Sequence, residues 1–279
     1  MKAGFWIAPE GADSAVTAVP IAVATGRPVS VLTTAGAEEM IARCPRVAAL
    51  LPLLVETLAT QEADRPGRLF DLAGLEDIEL QLISDVVGEG EVAATVALPD
   101  GVVAQVRESV MAGLWRVRFA DAQGQPLADY LEVGAIPEAV RRAAAMTAPA
   151  IALGEAPAGA MNAMPVLAEI RERMTTWRPG IPNHTITFSL LPMSQDDMAF
   201  VQATLGAGPV QILSRGYGSC RVVATGARHV WSVQFSNAAD AIVLDTLEIG
   251  DVPAAACAAT EDFRDSAERL RQIEEAYFT

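Results

Sequence analysis

The sequence predicts an α+β fold made of two tandem copies of one module, each a helix, a four-stranded antiparallel sheet and a helix. Two observations predict it. The chain repeats itself internally, and each copy reads as short Val-rich runs between turn signals, flanked by helical apolar stripes. In the repeat, Trp115-Arg116-Val117-Arg118-Phe119 matches Trp231-Ser232-Val233-Gln234-Phe235 at an offset of 116. From 115 to 137, nine of 23 positions are identical under that offset, among them Asp129, Leu131, Glu132, Gly134 and Pro137. Upstream the offset becomes 118, and Gly88-Glu89-Gly90-Glu91-Val92 falls on Gly206-Ala207-Gly208-Pro209-Val210. A change of two residues is one small loop insertion.

Each element has a local reason. In the second copy Ser194 is a helix N-cap followed by acidic residues, which suit the positive end of the helix dipole. Met198, Val201 and Leu205 form an apolar stripe that ends at Gly206, and Leu80, Ile83 and Val87 hold the same places before Gly88. Strands are expected over 92–98, 102–110, 114–119 and 127–133, and again over 210–214, 220–225, 230–235 and 241–249. Pro137 and Pro253 suit the first turns of closing helices, where a missing N–H costs nothing. The predicted organisation is an N-terminal segment over 1–68, a first module over 69–146, a linker with one helix near 165–177 over 147–186, and a second module over 187–279. The two modules are expected to pack as a pseudo-symmetric pair. Within the N-terminal segment, 29–33 reads as a strand and 47–58 as an amphipathic helix.

Composition narrows the function. The 279 residues carry 35 Asp+Glu against 20 Lys+Arg, a net charge of −15. Nucleic-acid backbones are held by clustered basic residues, so such a partner is not expected. Lys2 is the one lysine in the chain. That excludes a phosphate loop ending in Lys-Ser/Thr, a Schiff-base lysine and a lysine general base. Cys44, Cys220 and Cys257 lie far apart, which reads as reduced thiols rather than a disulfide framework. His184 and His229 are the only histidines, and no spacing suggests a metal or cofactor site. No apolar run suits a signal peptide or a membrane span, so a cytoplasmic location without membrane insertion is expected.

Few residues invite chemistry. Cys220 sits between Arg215 and Arg221, which would lower its pKa if they approached the thiol. The plainer reading is a small apolar strand residue beside the Gly216-Tyr217-Gly218 turn. Trp115 and Trp231, at equivalent positions, read first as packing residues. The acidic C-terminal helix, expected from about 253 to 276, reads as a solvated face. No Gly-x-Ser-x-Gly elbow and no paired carboxylates stand out.

The string LLPMSQDDMAFVQATLGAGPVQILSRGYGSCRVVATGARHVWSVQF at 190–235, followed by DTLEIGDVPAAA, closely resembles the C-terminal region of the HupH/HyaF family of hydrogenase expression/formation proteins. GEGEVAATV at 88–96 and ESVMAGLWRVRF at 108–119 resemble a first copy of the same region. The resemblance spans about 69–279. It implies a cytoplasmic, non-enzymatic, chaperone-like factor in maturation of a nickel–iron uptake hydrogenase. The implied partners are the iron–sulfur small subunit precursor before export, other accessory proteins, or both. The family brings no catalytic residues, cofactor or metal to carry over, and the chain lacks a rubredoxin-type CxxC…CxxC appendage. Arg215, Tyr217, Cys220 and Arg221 are the candidate partner-binding residues, because two arginines, an aromatic and a thiol on a glycine-kinked loop make a recognition surface. Two rival readings are a cysteine-dependent redox or transfer enzyme centred on Cys220, and a cluster carrier using Cys44, Cys220 and Cys257.

Overall fold

Apolar periodicity and turn glycines set the elements in a computed structural model that describes residues 41–216 and 218–278. Lys2 and the expected strand at 29–33 lie outside the described residues. The described chain divides into two units: 41–139 together with 257–278, and 140–256. The fold is α+β, and every strand pairing within each unit is antiparallel.

In the first unit, helix α1 (Pro45–Thr60) opens with Pro45 in its first turn and buries Val47, Leu51, Leu54 and Leu58, an i, i+4, i+7, i+11 stripe. Strand β1 (Arg68–Asp71) and helix α2 (Asp77–Val87) follow, and α2 stops at Gly88, whose φ of 61° suits glycine. Then come β2 (Val92–Ala97), β3 (Val103–Glu108), β4 (Leu114–Ala120) and β5 (Pro126–Val133). Their order across the sheet is β1-β5-β4-β3-β2. Each unit thus contributes five strands rather than the expected four. The extra strand precedes the helix, and its four residues, Arg-Leu-Phe-Asp, have too short an alternation to register in sequence. They become a strand by pairing Arg68–Asp71 with Tyr130–Val133 of β5.

The helix side of this sheet carries one apolar core. It joins Leu51, Leu54 and Leu58 of α1, Leu82 and Ile83 of α2, and Leu114, Leu131 and Val133 of the sheet. Helix α3 (Glu138–Ala145) follows β5, with Pro137 before its first residue. The C-terminal helix α6 (Thr260–Tyr277) belongs to this core through Phe263, Ala267 and Leu270. In sequence it falls within the stretch expected to form the second module, and its packing is with the first unit. Ala258 N–H donates to the Ala135 carbonyl, and Ser266 Oγ to the Ala112 carbonyl, fixing the segment in the first unit. The helix also starts later than expected: Pro253 leads only a 3-10 turn, Ala254–Ala256.

The second unit has the same sequence of elements from α4 (Ala163–Thr176) onward: β6 (His184–Thr187), α5 (Gln195–Leu205), β7 (Ala207–Arg215), β8 (Ser219–Thr225), β9 (Val230–Ser236) and β10 (Ile242–Ile249). Its sheet order is β7-β8-β9-β10-β6. Leu167 and Ile170 of α4, Val201 and Leu205 of α5, and Val223, Leu247 and Ile249 of the sheet form its core. Trp115 and Trp231 are both buried, and the Trp115 indole N–H donates to the Gly134 carbonyl at 2.8 Å.

Asp197 ties two helix starts together. The Ser194 hydroxyl caps α5 by accepting from Asp197 N–H at 3.0 Å. Asp197 in return accepts from Ser194 N–H at 2.9 Å, and from the backbone N–H groups of Asn162 and Ala163 at 2.6 and 2.8 Å. Burial opposes its ionisation, but the donors from Ser194, Asn162 and Ala163 outweigh it and hold the carboxyl below the usual range. Asp197→Ala strands donors at the starts of both α4 and α5. A loss of about 2 kcal/mol is expected, at the upper end for a helix cap. Urea unfolding checks it; a loss under about 0.5 kcal/mol contradicts the shared role.

Candidate functional site

The candidate residues of the second unit sit on the β7–β8 hairpin. Arg215 ends β7, exposed, and pairs with Ser219; Ser214 pairs with Cys220, and Leu213 with Arg221. Tyr217 lies outside the described residues. Side chains alternate across a strand, and paired residues share a face. Arg215 and Arg221 therefore lie on one face of the sheet, with Val223 of the helix-side core. Cys220 lies on the other, with Val222. The two arginines that flank the thiol in sequence are separated from it by the sheet. Burial pushes the Cys220 thiol up to about 11, with the Glu248 charge adding to the rise. That is the opposite of the lowering expected from its neighbours in sequence. Burial likewise draws Arg221 below its ordinary value.

Register reveals a cluster that the sequence reading missed. Arg221 of β8 stands opposite Gln234 of β9, and Gln234 opposite Asp245 of β10. Both Gln234 and Asp245 are buried, with Gln234 Nε2 3.4 Å from Asp245 Oδ2. In the first unit, Gln105 of β3 stands opposite Arg118 of β4, and Arg118 opposite Asp129 of β5. Both units thus carry a row of one Arg, one Gln and one Asp across three strands, on the helix side. The one signal available in sequence was the carboxylate retained at 129 and 245 in the middle of apolar strands.

The row of the first unit opens into a cleft beside the C-terminal end of α2, lined by Ser84, Gly88, Glu89, Gln105, Arg107, Glu108, Arg116 and Arg118. Arg116 grips Asp129 with a two-pronged fork, Nε to Oδ1 at 3.0 Å and Nη2 to Oδ2 at 2.7 Å, and its Nη1 donates to Ser84 Oγ at 2.5 Å. Arg118 reaches the same carboxylate only at 3.5 Å. Arg107, directly opposite Arg116, has Nη1 3.9 Å from Glu89. Burial, and then the neighbouring charge of Arg116, draw Arg118 below the usual guanidinium value. Glu108, at the end of β3, is pushed up to about 7. Burial is the main cause; the Gly113 N–H it accepts at 3.1 Å opposes the rise, and Asp262 and Glu91 add to it.

Among the described residues no group of three or more His, Cys, Asp or Glu side chains comes together as a metal-ion site. Also among them, no helix is long and apolar enough to cross a membrane.

Comparison with known proteins supplies the family. The family described as HupH hydrogenase expression protein, C-terminal conserved region, matches residues 52–153 and 160–277. The chain is 58% identical to "Hydrogenase expression/formation protein HupH" of Rhizobium leguminosarum bv. viciae over 100% of both chains. It is 41% identical to "Hydrogenase expression/formation protein HoxQ" of Cupriavidus necator, over 84% of this chain and 83% of the other. Among solved structures it is similar to hydrogenase expression protein HupH from Thiobacillus denitrificans, 28% identical, with a TM-score of 0.35, covering 41% of this chain and 94% of that one. With most of its length matched and a relative this similar from end to end, the chain belongs to the HupH hydrogenase expression protein family.

Proposed function

We propose that this protein is a non-enzymatic accessory factor in the maturation of a nickel–iron uptake hydrogenase, acting in the cytoplasm on the iron–sulfur small subunit precursor before export. The observation that carries the reading is the full-length similarity to a protein named for hydrogenase expression and formation. The chemistry of Cys220 supports it against the rival enzyme reading. A thiol pushed up to about 11 is almost wholly protonated at neutral pH and is a poor nucleophile. The hairpin residues Arg215, Tyr217, Cys220 and Arg221 are the proposed contact with the client, with Arg215 exposed at the strand end.

The chain is further proposed to be two copies of one module. Two separate stretches match the same family description, and each unit carries a strand, a helix and four strands in the same order. The two copies are proposed to begin near 69 and 187.

Affinity co-purification from cells expressing the whole hydrogenase operon tests the client. Precursor small subunit, signal peptide attached, is expected to be retained; its absence from a preparation that makes hydrogenase contradicts the reading. Arg215→Ala with Tyr217→Ala is expected to weaken that retention, and unchanged retention removes the hairpin from the contact. For the rival reading, Cys220 is expected to react with iodoacetamide at pH 7 at least about tenfold more slowly than a model thiol near pKa 8.5. Faster reaction than the model thiol revives the enzyme.

A further inference from the structure

We propose that the chain is interlocked by a reciprocal exchange of segments, so that a cut between Gly154 and Glu155 leaves a folded, noncovalent pair of fragments.

Both units are assembled from the two sides of that point. The first takes its body from 41–139 and its last helix, α6, from 257–278, while the second is 140–256. The N-terminal fragment would carry the body of the first unit and a segment, 140–154, that belongs to the second. The C-terminal fragment would carry the body of the second unit, 155–256, and a segment, 257–278, that belongs to the first. Each fragment thus holds a piece of the unit whose body lies in the other. Two protomers that swap an element have the same arrangement, made here within one chain.

The two segments dock at corresponding places. In the first unit, Ala258 N–H donates to the carbonyl of Ala135, the second residue after β5. In the second, the Arg141 guanidinium pairs with Asp251, the second residue after β10. Each segment also reaches the turn between the third and fourth strands of its host unit. In the β3–β4 turn, Phe263 of α6 lies over Gly113, Ser266 Oγ donates to the Ala112 carbonyl at 2.9 Å, and Arg269 Nη1 to the Val110 carbonyl at 3.2 Å. In the β8–β9 turn, the Gly226 carbonyl accepts from Ala148 N–H at 2.9 Å, and Arg228 N–H donates to the Ala148 carbonyl at 2.8 Å. Arg228 Nη2 adds a bond to the Thr147 carbonyl at 3.1 Å. Both segments also enter a core. Phe263, Ala267 and Leu270 join Leu51 and Leu54, and Ile151 joins Leu167 and Ile170.

The connection at the cut carries little of this. From 151 to 160 the chain forms no helix or strand, and Gly154, Glu155, Pro157, Ala158 and Gly159 are exposed. No atom stands within 4 Å of the place a side chain at Gly154 would take. Tolerance of a break or an insertion follows the burial and hydrogen bonding of the backbone at that point, and here both are slight. The covalent link raises the effective concentration of one fragment about the other. The buried contacts of 140–154 and 257–278 hold them.

The test uses the full chain with a site-specific protease sequence inserted between Gly154 and Glu155. After cleavage the fragments are expected to co-elute in size-exclusion chromatography where the uncut chain does, with unchanged far-UV circular dichroism, and to part only in denaturant. Dilution of the cleaved protein, with a fluorophore on one fragment, gives their dissociation constant. Phe263→Ala is expected to raise it at least about hundredfold, by removing a fully buried ring. Ser266→Ala leaves the apolar core intact and removes one hydrogen bond, so a rise of about threefold to tenfold is expected. Ile151→Ala, on the other exchanged segment, is expected to raise it at least about tenfold. Glu261→Gln, exposed on α6, is expected to leave it within about twofold. Separate elution of the cleaved fragments without denaturant overturns the proposal. So does a dissociation constant that Phe263→Ala and Ser266→Ala leave unchanged, which assigns the association to contacts other than those of α6. One that Ile151→Ala leaves unchanged overturns the reciprocity. The proposal does not depend on which hydrogenase subunit is the client, so its failure leaves the co-purification result standing.

Discussion

Phe263→Ala is expected to destabilise the protein by about 3–5 kcal/mol, the usual range for removing a fully buried aromatic ring. Phe263 is wholly buried and is the anchor by which α6 enters the core of the first unit. Its ring lies over Gly113, which has φ 82° and sits in the turn between β3 and β4. A side chain at 113 would run into that ring, so Gly113→Ala carries both a left-handed backbone cost and a clash. The two changes are therefore coupled. With Phe263 already cut back to alanine, Gly113→Ala loses its clash and retains only the backbone cost of roughly 1 kcal/mol. Urea unfolding of both single variants and the double variant measures this. Strict additivity, or a cost under about 1 kcal/mol for Phe263→Ala, contradicts the docking of α6.

Glu108→Gln is expected to stabilise the protein at pH 8.5 and to change little at pH 5. The folded carboxyl is raised from an ordinary value of 4.5 to about 7. The stability this contributes is fully present below about 4.5 and is lost as pH rises through about 7. At 1.36 kcal/mol per pH unit the loss is bounded at about 3 kcal/mol, and partial solvent access reduces it to on the order of 2 kcal/mol. Glutamine keeps a carbonyl to accept the Gly113 N–H and removes the buried charge. Chemical denaturation across pH 5 to 8.5 checks both the size and the window. A variant less stable than the wild type at pH 8.5 contradicts the buried, partly neutral carboxyl.

Much of this architecture was legible in sequence because it is local. Strands β2–β5 and β7–β10 announce themselves by valine runs between Asp-Gly, Ala-Gly and Gly-rich turns. Helices α2 and α5 announce themselves by apolar stripes ending at Gly88 and Gly206. The short strands β1 and β6 were not legible, because Arg-Leu-Phe-Asp and His-Thr-Ile-Thr become strands only through pairing with β5 and β10. The home of α6 was not legible either. Phe263, Ala267 and Leu270 mark an apolar face, but nothing local says that Leu51 and Leu54 of α1 share its core.

The same division holds for functional residues. Around Cys220, the plainer reading of a small apolar strand residue was legible in sequence, and strand alternation turns to the opposite face the arginines that carried the rival reading of an activated thiol. The arginine cleft needed register: Arg116 and Arg118 are visibly on one face of one strand, but Arg107 joins them only through the β3–β4 pairing.

The account centres on the small subunit of the hydrogenase, and the most direct test is the state of both subunits in cells that lack this protein. Immunoblots of soluble and membrane fractions would follow the small subunit precursor and the large subunit together. The account predicts that the small subunit remains as unexported precursor while large subunit processing goes on, and that the wild-type chain restores export. Normal small subunit export with an arrested large subunit would contradict it.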